Sequence, residues 1–356
     1  MQIVDSILST LMTIHQCLAD LVLDLLFLGF LCYKKRDQDK GTYINCMKSH
    51  HPVKKSEEIL MMINYGLKEK VVLITGTNNP KGIGAAMALS FAEQGAKVAM
   101  VYKKMNFDYS EELAVGNGFD SYFKALSMDC SEVETAISKI TKNYIIIESD
   151  ISDESNIVAI YDQIETTLGK VNILINNAAG YPEQDTIFTI KNSDIHNTYG
   201  TTVQGTIMMI KEFIKRGYGR FIDEGKSLQE RLVHYGKHHM LSENHHYGRI
   251  VNFSTDSAQI MAGQIAYGSS KAAVEALTRS IAMEVGYLGV TVNTVAPGPT
   301  QTGWMNIELI ESVLPQIPMA RIGTPQDIAD TVLFLASEKA SWLTGQVIKV
   351  SGGHSI

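Results

Sequence analysis

Cysteine is scarce in this chain, and basic residues do not outnumber acidic ones. The four cysteines, Cys17, Cys32, Cys46 and Cys130, are widely spaced and form no CxxC pair. This spacing argues against a disulfide framework or a zinc site and favours a reducing compartment. The net charge is −7 and no basic stripe is present, so a nucleic-acid partner is not expected. Apolar residues make up 45% and charged residues 19%, which is typical of a soluble globular core.

A clean apolar run of membrane-spanning length is also lacking. Residues 7–33 are strongly apolar and precede the basic residues 34–36, but His15, Asp20 and Asp24 interrupt them. A mid-bilayer aspartate costs about 2.5–3.5 kcal/mol on insertion scales. The basic start and small-residue cleavage site of a secretory signal peptide are missing as well.

Three interpretations of this segment stay open: a helix that packs on the protein or a partner, a membrane anchor, or a poorly ordered extension. We expect residues 1–66 to form an apolar N-terminal extension and linker. Residues 67–356 would then be the main domain. The expected location is cytoplasmic, with membrane contact through residues 7–33 as the alternative.

A dinucleotide-binding unit begins near Lys70. Residues 71–74 form a short apolar, β-branched run, and the Gly-rich turn TGTNNPKGIG follows at 75–84. Helical apolar spacing continues to Gly95, and a second strand pattern covers residues 97–102. Glycine-rich turns are common for purely structural reasons, but a strand, turn, helix and strand together favour a pyrophosphate site at the helix N-terminus.

The residues after the second strand bear on the choice of cofactor. An acidic residue that could bind a ribose 2′-hydroxyl is absent, and Tyr102, Lys103 and Lys104 stand there instead. Two cations suit a 2′-phosphate, which favours NADP(H) over NAD(H). The alternative is that both lysines belong to an ordinary solvated loop.

The remaining pattern predicts an open parallel sheet. Residues 144–150, 171–175 and 249–253 are further strand candidates, whereas residues 106–143 are too long for an ordinary crossover and are not assigned. Repeated alternation of strands and helices predicts an α/β fold, a Rossmann-type doubly wound parallel sheet in a single domain.

A tyrosine and a lysine four residues apart are the candidate reactive pair. Tyr267 and Lys271 lie one turn apart on one face of a predicted helix. The cation would lower the pKa of the phenol, so that Tyr267 can move a proton near neutral pH. Ser254, Thr255 and Ser257 form a hydroxyl cluster at the preceding strand end. The pattern YxxxK is common by chance, and it indicates a catalytic pair only because the hydroxyl cluster accompanies it.

Together these features resemble the short-chain dehydrogenase/reductase family, especially 3-oxoacyl-[acyl-carrier-protein] reductases. The resemblance extends from Glu69 to Ile356. Its motifs are the TGxxx…GIG turn, NNAAG at 176–180, the spacing from Ser254 to Tyr267, YxxxK, PGPTQT at 297–302, RIGTP at 321–325 with Asp327, TGQ at 344–346, and Gly352-Gly353.

The resemblance implies roles for individual residues. Tyr267 would be the general acid/base, Lys271 would hold the nicotinamide ribose and lower the pKa of Tyr267, and Ser254 would orient the substrate carbonyl. The implied cofactor-binding residues are Gly76, Gly82, Ile83 and Gly84 at the phosphates, Asp150 and Ile151 at the adenine, Asn177, Ala178 and Ala179 along the adenosine ribose, and Pro297, Gly298, Thr300 and Thr302 over the carboxamide. No metal site is implied.

Three departures from the family pattern matter. The phosphate turn has five residues between Gly76 and Gly82 where the common form has three. The usual fourth catalytic residue, an asparagine, aligns with Thr202, which cannot supply both an amide donor and an amide acceptor. The active hydroxyl is ambiguous. The number of residues before Tyr267 favours Ser254, whereas the number of residues after the strand start at Gly248-Arg249 favours Thr255.

Residues 221–247 are predicted to be an insertion. The tripeptide Tyr218-Gly219-Arg220 recurs at 247–249, and the family pattern does not require the residues between the two copies. Five histidines cluster here: His234, His238, His239, His245 and His246. Positions 234 and 238 have a spacing compatible with metal binding, but a solvated polar loop is favoured because no further ligands complete a set.

The sequence therefore predicts hydride transfer between NADP(H) and a carbonyl/alcohol pair, with a 3-oxoacyl thioester as one substrate suggested by the resemblance. One alternative is a non-catalytic dinucleotide-binding scaffold or sensor, and another is a membrane-tethered reductase of a lipid-like ketone. The resemblance implies a homodimer or homotetramer. The apolar residues of segment 301–317 imply a lid over a small-molecule substrate without identifying it.

Overall fold

The structure is a computed structural model, and it describes residues 64–181, 185–222, 224–239, 247–256, 258 and 262–355. For residues 234–239 it describes only the backbone. The predictions for residues 7–33, Ser257 and the five histidine side chains fall outside these described parts. Within them, no helix is both long and apolar enough to cross a membrane.

The strands of the described chain form one sheet. They are β1 (Val71–Thr75), β2 (Lys97–Tyr102), β3 (Tyr144–Glu148), β4 (Ile173–Asn176), β5 (Gly248–Phe253), β6 (Val290–Pro297) and β7 (Val347–Val350). The α-helices are α1 (Ile83–Glu93), α2 (Phe119–Ser127), α3 (Ser131–Ile137), α4 (Glu154–Thr167), α5 (Asn192–Tyr199), α6 (Thr206–Tyr218), α7 (Leu228–His239), α8 (Ile265–Val285), α9 (Ile307–Val313) and α10 (Pro325–Ala336).

The sheet has the order β3-β2-β1-β4-β5-β6-β7, and every neighbouring pair is parallel. The strand order reverses between β1 and β4, which is where doubly wound sheets open a crevice at their carboxyl edge. The Rossmann-type doubly wound α/β fold expected from the sequence is confirmed.

Two apolar cores cover the two faces of the sheet. Along β1, Ile74 belongs to the core that contains Phe91 of α1. Its neighbour Leu73 belongs to the other core, which contains Phe213 of α6 and Val285 of α8. Successive strand residues point to opposite faces, so a strand buried on both faces must be apolar throughout. This explains the uninterrupted apolar run at 71–74.

The structure adds elements that the sequence patterns did not reveal. Strands β6 and β7 extend the sheet beyond the five strand candidates. The unassigned stretch 106–143 contains the two short helices α2 and α3. The predicted insertion at 221–247 contains α7, and the two ends of this segment lie close together, because the Tyr218 hydroxyl donates to the Tyr247 carbonyl at 2.9 Å.

Candidate active site

The carboxyl ends of β1, β4, β5 and β6 meet at one edge of the sheet, because all four strands are parallel neighbours. The Gly-rich turn follows β1, the NNAAG residues follow β4, the hydroxyl cluster follows β5 and PGPTQT begins at the end of β6. The sheet topology therefore collects motifs that are far apart in the sequence.

Two glycines let the Gly-rich turn approach α1 closely. Gly76 has φ +76°, a conformation that disfavours residues with a side chain. A Cβ at Gly84 would lie 2.1 Å from the Gly76 carbonyl oxygen. Helix α1 starts after Gly82 without a side-chain cap and without acidic residues in its first turn. Its first N–H groups are therefore suited to an anion.

The NNAAG residues tie β4 to the Gly-rich turn. The Asn177 amide donates to the carbonyls of Thr75 and Gly76 at 2.8 and 3.0 Å. The Ala178 N–H donates to the Thr75 hydroxyl at 3.0 Å. These bonds fix the separation of two neighbouring loops that face the same crevice.

The lysines after β2 are each paired with a carboxylate. The Lys103 ammonium lies 2.5 Å from Asp150 and that of Lys104 lies 3.2 Å from Glu148. Burial acts to raise the pKa of Asp150, but hydrogen bonds from Lys103 and Ser152 outweigh it and hold that pKa below its usual value. This corner of the crevice therefore combines two cations with two anions.

An aspartate holds the start of the helix that carries Tyr267 and Lys271. The two carboxylate oxygens of Asp185 accept from the N–H groups of Ala266 and Tyr267 at 2.6 and 2.8 Å. A carboxylate at this end of α8 also interacts favourably with the helix dipole. Asp185 therefore fixes the backbone at Tyr267, the residue that carries the candidate phenol.

Lys271 and Tyr267 lie on one face of α8, with the ammonium 5.6 Å from the centre of the phenol ring. Lys271 is buried, donates to the Phe253 carbonyl at 2.9 Å, and burial lowers its pKa to about 8. The pKa of Tyr267 is raised, mainly by burial and secondarily by Tyr122 and Tyr181. The expectation that the neighbouring cation lowers this pKa does not hold in the protein alone, because burial dominates.

The two candidate hydroxyls have different surroundings. The Ser254 hydroxyl is buried and donates to the Glu275 carboxylate at 2.8 Å, and it also lies 3.3 Å from the Lys271 carbonyl. Thr255 is only partly buried. The next residue, Asp256, is buried and pairs with His354 at 2.7 Å.

The segment after β6 crosses the mouth of the crevice to the Gly-rich turn. The Asn79 amide donates to the Thr302 carbonyl at 3.0 Å, and the Thr300 hydroxyl donates to the Gly298 carbonyl at 2.9 Å. A Cβ at Gly298 would meet Ser351 at 2.6 Å and the Asp256 carboxylate at 2.8 Å. Glycine is therefore required where this segment leaves the sheet.

Comparison with known proteins identifies the family. The model described as short chain dehydrogenase matches residues 117–222, and the model described as enoyl-(acyl carrier protein) reductase matches residues 230–355. An uncharacterized oxidoreductase of Bacillus subtilis is 30% identical over 287 residues, which cover 80% of this chain and 97% of that protein. The chain belongs to the short-chain dehydrogenase/reductase family.

Other family members match over the same region. A 3-oxoacyl-[acyl-carrier-protein] reductase of Staphylococcus aureus is 30% identical over 290 residues, covering 80% of this chain and 97% of that protein. An NADPH-dependent aldehyde reductase of Arabidopsis thaliana is 30% identical over 297 residues, covering 81% and 94%.

A solved short chain dehydrogenase of Bacillus anthracis superposes with a TM-score of 0.63 at 25% identity, covering 82% of this chain and 98% of that one. A Serratia marcescens short-chain dehydrogenase/reductase has the same fold, with a TM-score of 0.61. This chain is accordingly a short-chain dehydrogenase/reductase enzyme, which uses a nicotinamide cofactor on an alcohol or carbonyl group.

Two features that depart from the family pattern, the predicted insertion and Thr202, have clear places in the structure. The two family models stop and resume at residues 222 and 230, at the start of the predicted insertion. Thr202 lies in a π-helical segment, Gly200–Gly205, that joins α5 to α6. Its hydroxyl accepts from the Gly180 N–H at 3.1 Å, so it holds the end of the NNAAG loop.

Sequence reasoning missed Asp185, Glu275 and the Asp256–His354 pair. Asp185 and His354 act on residues roughly 80 and 100 positions away, and no local pattern signals such contacts. Glu275 follows Lys271 by one helical turn, so its proximity to the reactive helix face could have been found from the i, i+4 rule.

Proposed function

We propose that this enzyme is an NADP(H)-dependent carbonyl reductase, acting reversibly as an alcohol dehydrogenase. The observation that carries the proposal is the arrangement of Tyr267 and Lys271 on the buried face of α8, beside the crevice at the carboxyl edge of the sheet. The cofactor supplies the hydride in reduction and accepts it in oxidation.

Tyr267 is the proposed proton donor to the substrate carbonyl oxygen. Burial raises its pKa, so the phenol is protonated at neutral pH, as a general acid must be. Lys271 would hold the nicotinamide ribose. Because its own pKa is about 8, it keeps an ammonium at neutral pH, and this cation would stabilise negative charge that develops on the phenol oxygen.

Thr255 is the proposed hydroxyl that orients the carbonyl, in place of Ser254, which the spacing to Tyr267 favours. Ser254 already donates to the buried carboxylate of Glu275. Of the two hydroxyl-bearing residues, Thr255 is the less buried. Thr255→Ala should lower kcat by about 10²-fold. Ser254→Ala should lower mainly stability, by about 1–3 kcal/mol, because it leaves Glu275 unpaired.

The residues around the crevice fit a dinucleotide. A methyl group at Gly84 would fill the space against Gly76, and the uncapped N-terminus of α1 suits a pyrophosphate. The other proposed contacts come from Gly82 and Ile83 at the phosphates, from Asp150, Ile151, Asn177, Ala178 and Ala179 along the adenosine, and from Pro297, Gly298, Thr300 and Thr302 at the carboxamide.

The proposed preference for NADP(H) rests on Lys103 and Lys104. Their carboxylate partners, Asp150 and Glu148, weaken the net positive charge, but both lysine side chains are about half exposed and can turn to a phosphate. One similar protein is named for its NADPH dependence.

A homodimer or homotetramer and a cytoplasmic location are further proposals. A 3-oxoacyl thioester is a proposed substrate, suggested by the reductase of Staphylococcus aureus.

The deciding experiment is a panel of ketones, aldehydes and 3-oxoacyl thioesters, with oxidation of NADPH and NADH followed separately. Tyr267→Phe serves as the control because it preserves the ring. We expect turnover by the wild type and a loss of about 10²–10⁴-fold in the variant, with cofactor affinity retained. Cofactor binding without turnover across the panel would favour the scaffold alternative. Activity only in membrane fractions of the full chain would favour the tethered reductase.

A further inference from the structure

A turn near the C-terminus folds back onto the carboxyl edge of the sheet. This C-terminal turn, residues 351–355, follows directly after β7. Gly352 and Gly353 have φ +63° and +92°, conformations that favour glycine. The His354 N–H donates to the Ser351 carbonyl at 3.2 Å. The chain therefore reverses its direction here and brings His354 to the edge where the active-site motifs meet.

The side chain of His354 reaches the loop after β5. Its Nδ1 lies 2.7 Å from the Asp256 carboxylate and 3.1 Å from the Ser355 hydroxyl. The side chains of Asp256 and His354 are 3% and 12% exposed. A buried carboxylate needs hydrogen-bond donors, and the imidazole supplies one. Asp256 directly follows Thr255, so the pair adjoins the hydroxyl proposed to orient the carbonyl.

The Asp256 carboxylate also lies against the loop after β6. The Asp256 N–H donates to the Pro297 carbonyl at 3.0 Å. A Cβ at Gly298 would lie 2.8 Å from the oxygen of Asp256 that pairs with His354, and 2.6 Å from Ser351. Gly298 is therefore enclosed between this carboxylate and the backbone of the C-terminal turn.

The C-terminal turn supports the far end of the predicted substrate lid as well. The Met319 N–H donates to the Gly352 carbonyl at 3.0 Å. A Cβ at Gly352 would lie 2.9 Å from the side chain of Ile317, which is buried. Segment 301–317 therefore begins beside the Asp256–His354 pair and ends on the same turn.

Loss of the imidazole would disturb the loop after β6 through the carboxylate. Without His354, the buried Asp256 would lose a hydrogen bond, and a poorly paired buried carboxylate is costly. The carboxylate would then shift toward water. Because Gly298 packs directly against it, the start of the loop after β6 would lose its fixed position.

We propose that Asp256 and His354 are positioning residues for the nicotinamide half of the cofactor. Their hydrogen bond closes the C-terminal turn on Gly298 and so fixes the segment proposed to contact the carboxamide. The residues proposed to bind the adenosine and the phosphates belong to other loops, so that half of the cofactor does not depend on the pair. The inference rests on the proposed NADP(H) site.

The test separates the two halves of the cofactor. NADPH and 2′,5′-ADP, which lacks the nicotinamide half, are titrated by calorimetry into the wild type and His354→Ala. The variant should bind NADPH about tenfold more weakly and should bind 2′,5′-ADP within about twofold of wild type. Equal losses for both nucleotides, or no loss for either, would refute the positioning role.

Two more variants control for the hydrogen bond and for the removal of a histidine. His354→Asn places an amide donor near the position of Nδ1, so NADPH affinity should return to within about threefold of wild type. His196 lies exposed on α5, and His196→Ala should bind both nucleotides like the wild type. A loss in His354→Asn as large as in His354→Ala would contradict the assignment, and so would the same loss in His196→Ala.

Hydrogen exchange of the cofactor-free protein tests the pair without any ligand. The backbone amides of residues 298–305 should exchange about tenfold faster in His354→Ala, whereas those of the NNAAG loop at 176–180 should keep the wild-type rate. Unchanged exchange at 298–305 would refute the effect of the pair on this loop. Faster exchange there, combined with a wild type that binds neither nucleotide, would support that effect and refute only the proposed cofactor site.

Discussion

Burial of the Lys271 ammonium should make the stability of this fold depend on pH in a specific window. The folded-state pKa is about 8, and burial is the cause. In the unfolded chain a lysine titrates near 10.4. Between these values the unfolded chain binds more protons than the folded one, so stability increases as the pH increases. Below pH 8 both states are protonated and the full cost of burying the charge is present.

The size of the effect follows from the two pKa values. Each unit of pKa difference corresponds to about 1.4 kcal/mol. At pH 7 burial of the charge costs about 3 kcal/mol, and at pH 9.5 about 1.4 kcal/mol of this cost is left. The wild type should therefore gain about 2 kcal/mol between these pH values from this residue alone. Lys271→Met removes the charge at similar volume and should lack this gain.

The assay is urea unfolding of the cofactor-free protein, followed by circular dichroism at several pH values. The informative quantity is the wild-type free energy of unfolding minus that of Lys271→Met. Other ionisations in this range, including the Cys130 thiol, whose pKa burial raises to about 11, occur in both proteins and cancel. A difference that stays constant from pH 7 to 9.5 would refute the reasoning, because it would mean that the ammonium is as well solvated in the fold as outside it.

Three further tests concern the proposed cofactor crevice and the cap of α8. Gly84→Ala should weaken cofactor binding at least tenfold in a fluorescence titration, whereas Gly219→Ala, where a Cβ meets nothing within 4 Å, should bind like the wild type. Changing Lys103 and Lys104 together to alanine should weaken NADPH about tenfold and NADH less than twofold, and equal losses would contradict the preference. Asp185→Ala should lower the free energy of unfolding by about 1–2 kcal/mol, and an unchanged denaturation curve would contradict its capping role.

The parts of the fold that the sequence predicted have strong local signals. The strand, Gly-rich turn, helix and strand from residue 71 to 102 follow one another directly, and each has a distinct pattern. Helix α2 has the helical apolar spacing of Phe119, Tyr122, Phe123 and Leu126, but none of its residues is fully buried and its place depends on Asn78 and Gly303. Apolar spacing can indicate such a helix, but it cannot reveal which distant loops hold the helix in place by hydrogen bonds.

The placement of the candidate pair on one helix face was predictable, and its electrostatics were not. Tyr267 and Lys271 stand one helical turn apart, which sequence alone gives. The shift in the pKa of Tyr267 depends on its burial in the fold and, secondarily, on the charges of Tyr122 and Tyr181. The choice between Ser254 and Thr255 likewise depends on Glu275, whose contact with Ser254 needs the packing of β5 against α8.

Because side chains alternate along β1, neighbouring residues of this strand support different helices. Ile74 supports α1, whose N-terminus borders the proposed phosphate site, while Leu73 supports the core that contains the carboxyl half of α8. A cavity beside Ile74 would weaken cofactor binding, and a cavity beside Leu73 would displace α8 and with it the proposed proton donor. We therefore expect cofactor affinity and turnover to respond separately to substitutions at these two adjacent positions of one strand.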